Sequence, residues 1–171
     1  IKDALEAGLL VKNKDKIYDR FRNRIIFPIK DVQEKIVAFG GRTLEKSESA
    51  KYINSPESKV FFKSSQLYGL FQAKNSITKN NKVIIVEGYT DVLSLHKNGF
   101  NNSIATLGTA FTKLHFNKIL RYTTNIYFCF DGDEAGKKAA WKALTNCLEE
   151  IRDGVNVNFI FLPEGKDPDD I

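Results

Sequence analysis

Three apolar runs of this chain each end in carboxylates. Glu87 closes Lys82–Val86, Asp131 and Asp133 close Asn125–Phe130, and Asp167 and Asp169 follow Val155–Phe161. In an open parallel sheet, ligands bind beyond the carboxyl ends of the strands, so this pattern gathers at least five acidic side chains around one crevice. Carboxylate oxygens are hard ligands, and Mg²⁺ typically takes one or two of them while keeping waters and substrate phosphate oxygens. Two such ions about 3.5–4 Å apart would suit in-line phosphoryl chemistry. Gly132 lets the backbone bend so that Asp131 and Asp133 turn toward one point. Pro168 fixes the turn that carries Asp167 and Asp169. A lone Asp-x-Asp reads as a surface turn; acidic residues at three successive strand ends read as a metal site.

The elements needed to position these carboxylates are legible in the second half. Strand Val83–Val86 leads into Gly88 and a helix from about Thr90 to Lys97, with Asn98-Gly99 as the stop. Strand Ser103–Leu107, a helix from about Thr112 to Arg121 and strand Asn125–Phe130 follow. Asp133 and Glu134 stand where acidic residues favour a helix N-terminus. Ala140, Leu144, Cys147, Leu148 and Ile151 then form one apolar stripe, Gly154 reads as a C-terminal cap, and strand Val155–Phe161 completes the series. Alternating strands and helices predict an α/β fold, a parallel sheet with right-handed crossovers and helices on both faces.

The first half predicts a smaller mixed α+β part. Arg24–Lys30 and Ile36–Leu44 read as an antiparallel hairpin around Gln33-Glu34, with Gly40-Gly41 as a bulge or a close approach. A loop over 51–58 precedes a helix around Ser65–Ser76, and Lys79–Lys82 is the expected boundary, giving parts 1–80 and 81–171. Residues 1–80 carry 16 Lys/Arg against 9 Asp/Glu, and residues 81–171 carry 10 against 12. A basic part beside an acidic one suits an enzyme that handles polyanions through metal, because Lys and Arg attract phosphates while carboxylates hold the bridging cations.

Competing chemistries lack their motifs. There is no phosphate loop, no dinucleotide fingerprint, no His-Glu-x-x-His and no Gly-x-Ser-x-Gly. A receiver-type phosphoacceptor domain also uses acidic strand ends, but leaves the basic first half unaccounted for. His96 and His115 lack ligand spacing and read as surface or half-buried structural residues. Cys129 and Cys147 read as space-filling, not as zinc ligands or a disulfide. No run approaches the roughly 20 apolar residues of a membrane span, and no secretory leader is evident, so a cytoplasmic protein without a membrane partner is expected. With no methionine anywhere and a start at Ile1, the chain reads as a piece of something longer.

The residues then carry a resemblance. Val86-Glu87-Gly88-Tyr89-Thr90-Asp91, Phe130-Asp131-Gly132-Asp133 with Ala135-Gly136, and Asp167-Pro168-Asp169 resemble the Glu and Asp-x-Asp signatures of the toprim domain shared by bacterial primases and topoisomerases. Upstream, Arg20–Arg24 with Phe27-Pro28-Ile29, Phe39-Gly40-Gly41-Arg42, Lys51–Glu57 and Leu67–Leu70 resemble the RNA-polymerase core of bacterial replicative primases of the DnaG type. The likeness runs through nearly the whole chain.

This resemblance implies a toprim domain at 81–171 preceded by a partial, basic part of the primase core at 1–80. It implies RNA primer synthesis on single-stranded DNA from ribonucleoside triphosphates at a bacterial replication fork. Asp131, Asp133, Asp167 and Asp169 would hold Mg²⁺ or Mn²⁺, Glu87 would be a ligand or a general acid/base, and Asp91 would sit in the same acidic site. Arg42, Lys51, Asn54 and Lys63 would face template or nucleotide phosphates. Zinc and the replicative helicase would engage separate domains absent from this chain. A toprim-bearing topoisomerase or nuclease, or a non-catalytic DNA-binding scaffold, are the other classes; the full acidic set argues against the scaffold.

Overall fold

The structure is a computed structural model that describes residues 1–45, 50–163 and 166. Its packing divides into two units, Ile1–Phe62 and Lys63–Ile171.

The first unit opens with helix α1 (Lys2–Glu6) and a hairpin of β1 (Leu10–Asn13) and β2 (Lys16–Asp19). A second antiparallel sheet has the order β3-β4-β5, built from β3 (Arg24–Lys30), β4 (Ile36–Thr43) and β5 (Tyr52–Asn54). The expected hairpin forms, because Asp31 Oδ1 accepts from the N–H groups of Gln33 and Lys35 at 2.8 and 3.0 Å and Glu34 takes the left-handed conformation at φ 74°. Pro28 sits on edge strand β3, where its missing donor costs no ladder bond. Phe27 and Ile29 point inward while Ile26 and Pro28 point out, the period-2 pattern of a half-buried strand. The register shift falls at Ile29/Lys30, not at the glycine pair. Gly41 serves close approach instead: a Cβ there would lie 2.7 Å from the Phe21 ring. The segment expected as a loop over 51–58 contributes β5.

The second unit runs α2 (Leu70–Asn80), β6 (Val83–Val86), α3 (Tyr89–Lys97), β7 (Ser103–Ala105), α4 (Lys113–Ile119), β8 (Asn125–Phe130), α5 (Glu134–Cys147) and β9 (Asn156–Phe161). All four strands pair in parallel in the order β7-β6-β8-β9. Val83, Ile85, Ile126 and Phe128 join Ala73 and Ile77 of α2, Phe116 and Ile119 of α4, and Ala140 and Ala143 of α5 in one buried core. Val86, Tyr89 and Val92 are buried outside that cluster, which places α3 on the opposite face of the sheet. Cys129 and Cys147 are both buried and free, filling space as expected, and burial pushes the Cys147 thiol up to about 12.

Two helices differ from their expected spans. Helix α2 begins at Leu70, not Ser65, because Tyr68 is held extended by reciprocal backbone bonds with Ala105 (2.9 and 3.1 Å) and Gly69 turns at φ 80°. Helix α5 ends at Cys147, where Leu148–Glu150 tightens into a 3₁₀ turn and Ile151 is already extended. Gly154, at φ 85°, therefore serves the turn into β9 and does not cap the helix. Because α2 packs on the parallel sheet, the division by packing falls earlier in the chain than the charge boundary at Lys79–Lys82.

Candidate active site and nucleic-acid interface

Glu87 is the first residue beyond β6, and its carboxylate accepts a hydrogen bond from the backbone N–H of Asp131, at the end of the neighbouring strand β8. The parallel pairing of β6 and β8 brings these two strand ends side by side. Asp91, only 8% exposed, lies in the first turn of α3, and its Oδ2 accepts from the N–H of Gly88 at 2.8 Å. It therefore ties the β6–α3 turn together while adding its charge behind Glu87.

Asp133 is the N-cap of α5, with Oδ1 accepting from the N–H of Gly136 at 2.7 Å. Gly136 is required there, since a Cβ would collide with the carbonyl oxygen of Asp131. Gly132 is required for a different reason: the backbone of Leu162 and Pro163, just beyond β9, lies directly against it. The N–H of Gly132 also points to the carbonyl of Lys166 at 3.4 Å. The turn after β9 thus packs on the link between Asp131 and Asp133. Asp167 and Asp169 lie outside the described residues.

Burial raises the pKa of Glu87 above the ordinary carboxyl value, and the nearby charges of Asp131, Asp91 and Asp133 raise it further, against the lowering by the Asp131 N–H bond. Among the described residues, no group of three or more His, Cys, Asp or Glu is close enough to enclose an ion. The residues present still fit a hydrated divalent cation. Such an ion needs only one or two carboxylates. The negative charges crowd one another, and Oε1 of Glu87 is buried with no hydrogen-bond partner among the described residues.

The expected basic residues fall in both units. Arg42 and Tyr52 pair across β4 and β5, and the guanidinium of Arg42 and the ammonium of Lys51 lie 5.7 and 5.8 Å from the centre of the Tyr52 ring. Asn54 ends β5 opposite Gly40. Arg24, which residue type alone did not single out as a site residue, holds this corner: its Nη1 donates to the carbonyls of Gly41, Ala50 and Lys51 at 3.3, 2.9 and 3.3 Å. Lys63 belongs to the second unit, where α4 grips its backbone. His115 Nε2 donates to the Lys63 carbonyl at 2.9 Å, Thr112 Oγ1 to that of Ser64 at 2.6 Å, and Lys118 Nζ to that of Ser65. His115 is fully buried, not on the surface or half-buried; no spacing rule signals this, because its Nε2 partner is a backbone carbonyl some fifty residues away. His96 bonds the Ser103 carbonyl at 3.0 Å.

A parallel sheet whose acidic strand ends meet at β6 and β8 defines a toprim-type α/β domain, and residues 84–171 match the family described as Toprim-like. Residues 1–74 match the DNA primase catalytic core, N-terminal domain. A DNA primase of Pseudomonas aeruginosa is 50% identical over 100% of this chain, which covers 26% of that protein. One of Escherichia coli K12 is 45% identical over 96% of the chain and 28% of its own length. A crystal structure of a P. aeruginosa DNA primase domain superimposes with a TM-score of 0.94 at 50% identity, covering 98% of this chain and 53% of that one. A DnaG primase catalytic domain bound to single-stranded DNA gives 0.91 at 45% identity, over 98% and 52%. The chain belongs to the bacterial DNA primase family of DnaG type, as part of its catalytic core. It spans about a quarter of the length of the curated relatives it matches. Use of divalent metal comes with this family in general terms. No helix among the described residues is long and apolar enough to cross a membrane.

Proposed function

We propose that this chain forms the catalytic part of a primase that synthesises short RNA primers on single-stranded DNA from ribonucleoside triphosphates. The observation that carries this reading is the Glu87–Asp131 contact at two adjacent strand ends, beside Asp133, in a chain about half identical to DNA primases. A solved relative bound to single-stranded DNA supports the choice of template.

Labour divides between a basic part, 1–80, that handles template and nucleotide phosphates, and a toprim part, 81–171, that handles metal. Asp131, Asp133 and Glu87, with Asp167 and Asp169, hold Mg²⁺ or Mn²⁺. When bound, such an ion lowers the pKa of an attacking hydroxyl and neutralises charge on the phosphates of the leaving group. Glu87 has one oxygen fixed by the Asp131 N–H and a pKa raised by burial and by its acidic neighbours, so it is placed to accept and return a proton. Asp133 keeps Oδ1 on the helix cap, leaving Oδ2 for the site. Asp91 holds the turn and supports Glu87. Arg42, Lys51 and Asn54 present donors for phosphate oxygens along the β4–β5 corner, and Lys63 adds a further cation. Zinc, the helicase and a cytoplasmic setting belong to the longer protein.

The test separates binding from chemistry. In the full-length protein, Glu87→Gln and Asp133→Asn should retain template affinity while ribonucleotide incorporation falls by at least about a hundredfold, the scale of a lost acid/base or charge-stabilising group. Near-normal RNA synthesis in both would defeat the assignment. Nicking or relaxation of plasmid DNA would favour the cleaving class instead.

A further inference from the structure

The outer flank of the parallel sheet carries a surface that the chemistry at the strand ends does not use. Strand β9 is last in the order β7-β6-β8-β9, so its outer edge has no strand partner among the described residues. An unpaired edge presents a row of N–H and C=O groups and is a template for one more strand. Beside it, Lys137, Ala140, Trp141 and Leu144 of α5 and Phe159 and Phe161 of β9 line a groove of about 140 Å³. No residue of β8 lines it, so the groove opens at the flank and not over the middle of the sheet. Its volume is below the roughly 300–1,000 Å³ of small-ligand sites and close to the ~150 Å³ that holds a single benzene ring. It fits one bulky apolar side chain. Trp141 is 72% exposed and Phe161 54%, and large apolar side chains left open together on one groove mark a contact surface.

Charge narrows the occupant. From Lys137 to Cys147, α5 carries three lysines and no acid, and β9 carries no charge at all. Lys137, Lys138 and Lys142 are all exposed, and the first two stand four and three residues before Trp141, on the same side of the helix. The acid nearest in sequence, Glu134, is bonded to Lys137 at 2.8 Å. The groove is thus an apolar slot with a positive rim beside an open strand edge. A second copy of this chain would set lysine against lysine. A nucleic acid would answer the lysines and the Trp141 ring but leave the sheet edge unpaired. An extended peptide with one bulky apolar side chain between carboxylates answers the edge, the slot and the rim together.

We propose that β9 and α5 form a docking surface for an acidic partner peptide, which adds as a fifth strand along β9, seats one apolar side chain between Trp141 and Phe161, and sets carboxylates on Lys137, Lys138 and Lys142. The proposal stands apart from the primer-synthesis reading, since it draws on no residue assigned to metal, template or nucleotide.

The labelled peptide Thr-Glu-Thr-Phe-Thr-Glu-Thr, which as a strand sets Glu, Phe and Glu on one face, tests it. Trp141 is the single tryptophan of the chain, so its emission reads the groove directly and should shift to shorter wavelength as the peptide binds. Alanine in place of the peptide's Phe should weaken binding about tenfold to a hundredfold, the scale of one buried aromatic side chain. An added strand bonds its neighbour through every second residue. Of two peptides N-methylated at alternate sets of amides, one should therefore bind at least about tenfold more weakly than the other. Lys138→Glu/Lys142→Glu should invert the preference between this peptide and its version with Lys for Glu. Trp141→Ala should lose the peptide while single-stranded DNA affinity stays as in wild type. Thermal melting by circular dichroism checks each variant's fold, and the wild-type peptide comparisons decide the matter if a variant does not fold. Equal affinities of the two N-methylated peptides, or an unshifted Trp141 emission, overturn the proposal. A fall in DNA affinity in Trp141→Ala gives the face to nucleic acid, and peptide binding by the chain but not by the full-length protein gives it to a segment of the longer protein; either result overturns it as well.

Discussion

Gly132 lies so close to the carbonyl oxygen of Pro163 that a methyl group does not fit between them. The residue between the two aspartates that follow β8 is therefore a packing surface for Leu162 and Pro163 beyond β9, and not only a flexible link. Gly132→Ala should push that turn away and lower stability by about 1–3 kcal/mol, the usual cost of overpacking. Urea unfolding measures the loss. An unchanged midpoint would show that the turn yields freely.

His115 gives a pH dependence with a definite sign. Its Nδ1 accepts from the Thr112 N–H at 3.2 Å and its Nε2 donates to the Lys63 carbonyl, so a second proton would break the first bond. Burial lowers its pKa from 6.5 to about 4. As pH falls, the unfolded chain takes up this proton near 6.5 and the folded chain only near 4. The stabilisation is complete above 6.5 and is lost as pH falls toward 4, by up to about 3 kcal/mol. His115→Gln should be weaker than wild type at pH 7.5 but lose less between pH 7.5 and 4.5; parallel curves would assign the acid sensitivity to other groups.

Divalent metal should raise the melting temperature, because a ligand that binds only the folded state stabilises it by mass action. Mg²⁺ or Mn²⁺ should do so in wild type and not in Asp131→Asn/Asp133→Asn. Asparagine caps helices about as well as aspartate, so the double variant should retain α5 and its metal-free melting point should not fall. Asp133→Ala removes the cap too and should cost about 1 kcal/mol without metal. A metal response in the double variant equal to wild type would place the ions elsewhere.

Arg42 and Lys51 share the Tyr52 ring, which keeps their two charges close together. Arg42→Ala and Lys51→Ala should each weaken single-stranded DNA binding and flatten the slope of log affinity against log salt by about 0.7 per lost phosphate contact. Oligonucleotide titrations at several salt concentrations decide it; unchanged slopes return these side chains to ordinary solvated surface.

The sheet of the second unit was legible because its strands are short apolar runs bounded by glycine and acidic residues; β8 falls at Asn125–Phe130 as expected. The adjacency of Glu87 and Asp131 followed from strand ends alone, since parallel neighbours finish together. What the residues did not announce was set by distant backbone. Tyr68 reads as helical from its neighbours, yet pairing with Ala105 holds it extended. Arg24 reads as one more cation, yet three carbonyls from elsewhere in the chain claim it. Local periodicity carries no record of such long-range bonds.

The grip of α4 on Lys63, Ser64 and Ser65 has a kinetic consequence. Its bonds join residues 48, 52 and 53 positions apart, and they enclose α2, β6, α3 and β7. Closing so long a loop from the open chain costs roughly 3 kcal/mol in entropy before any bond forms. The segment 63–65 is therefore expected to dock after the β6–β7 pairing has shortened the path, and to contribute little to the folding nucleus. Once docked, it and α4 release together. Amide hydrogen exchange in α4 should accordingly share one opening event with residues 63–65.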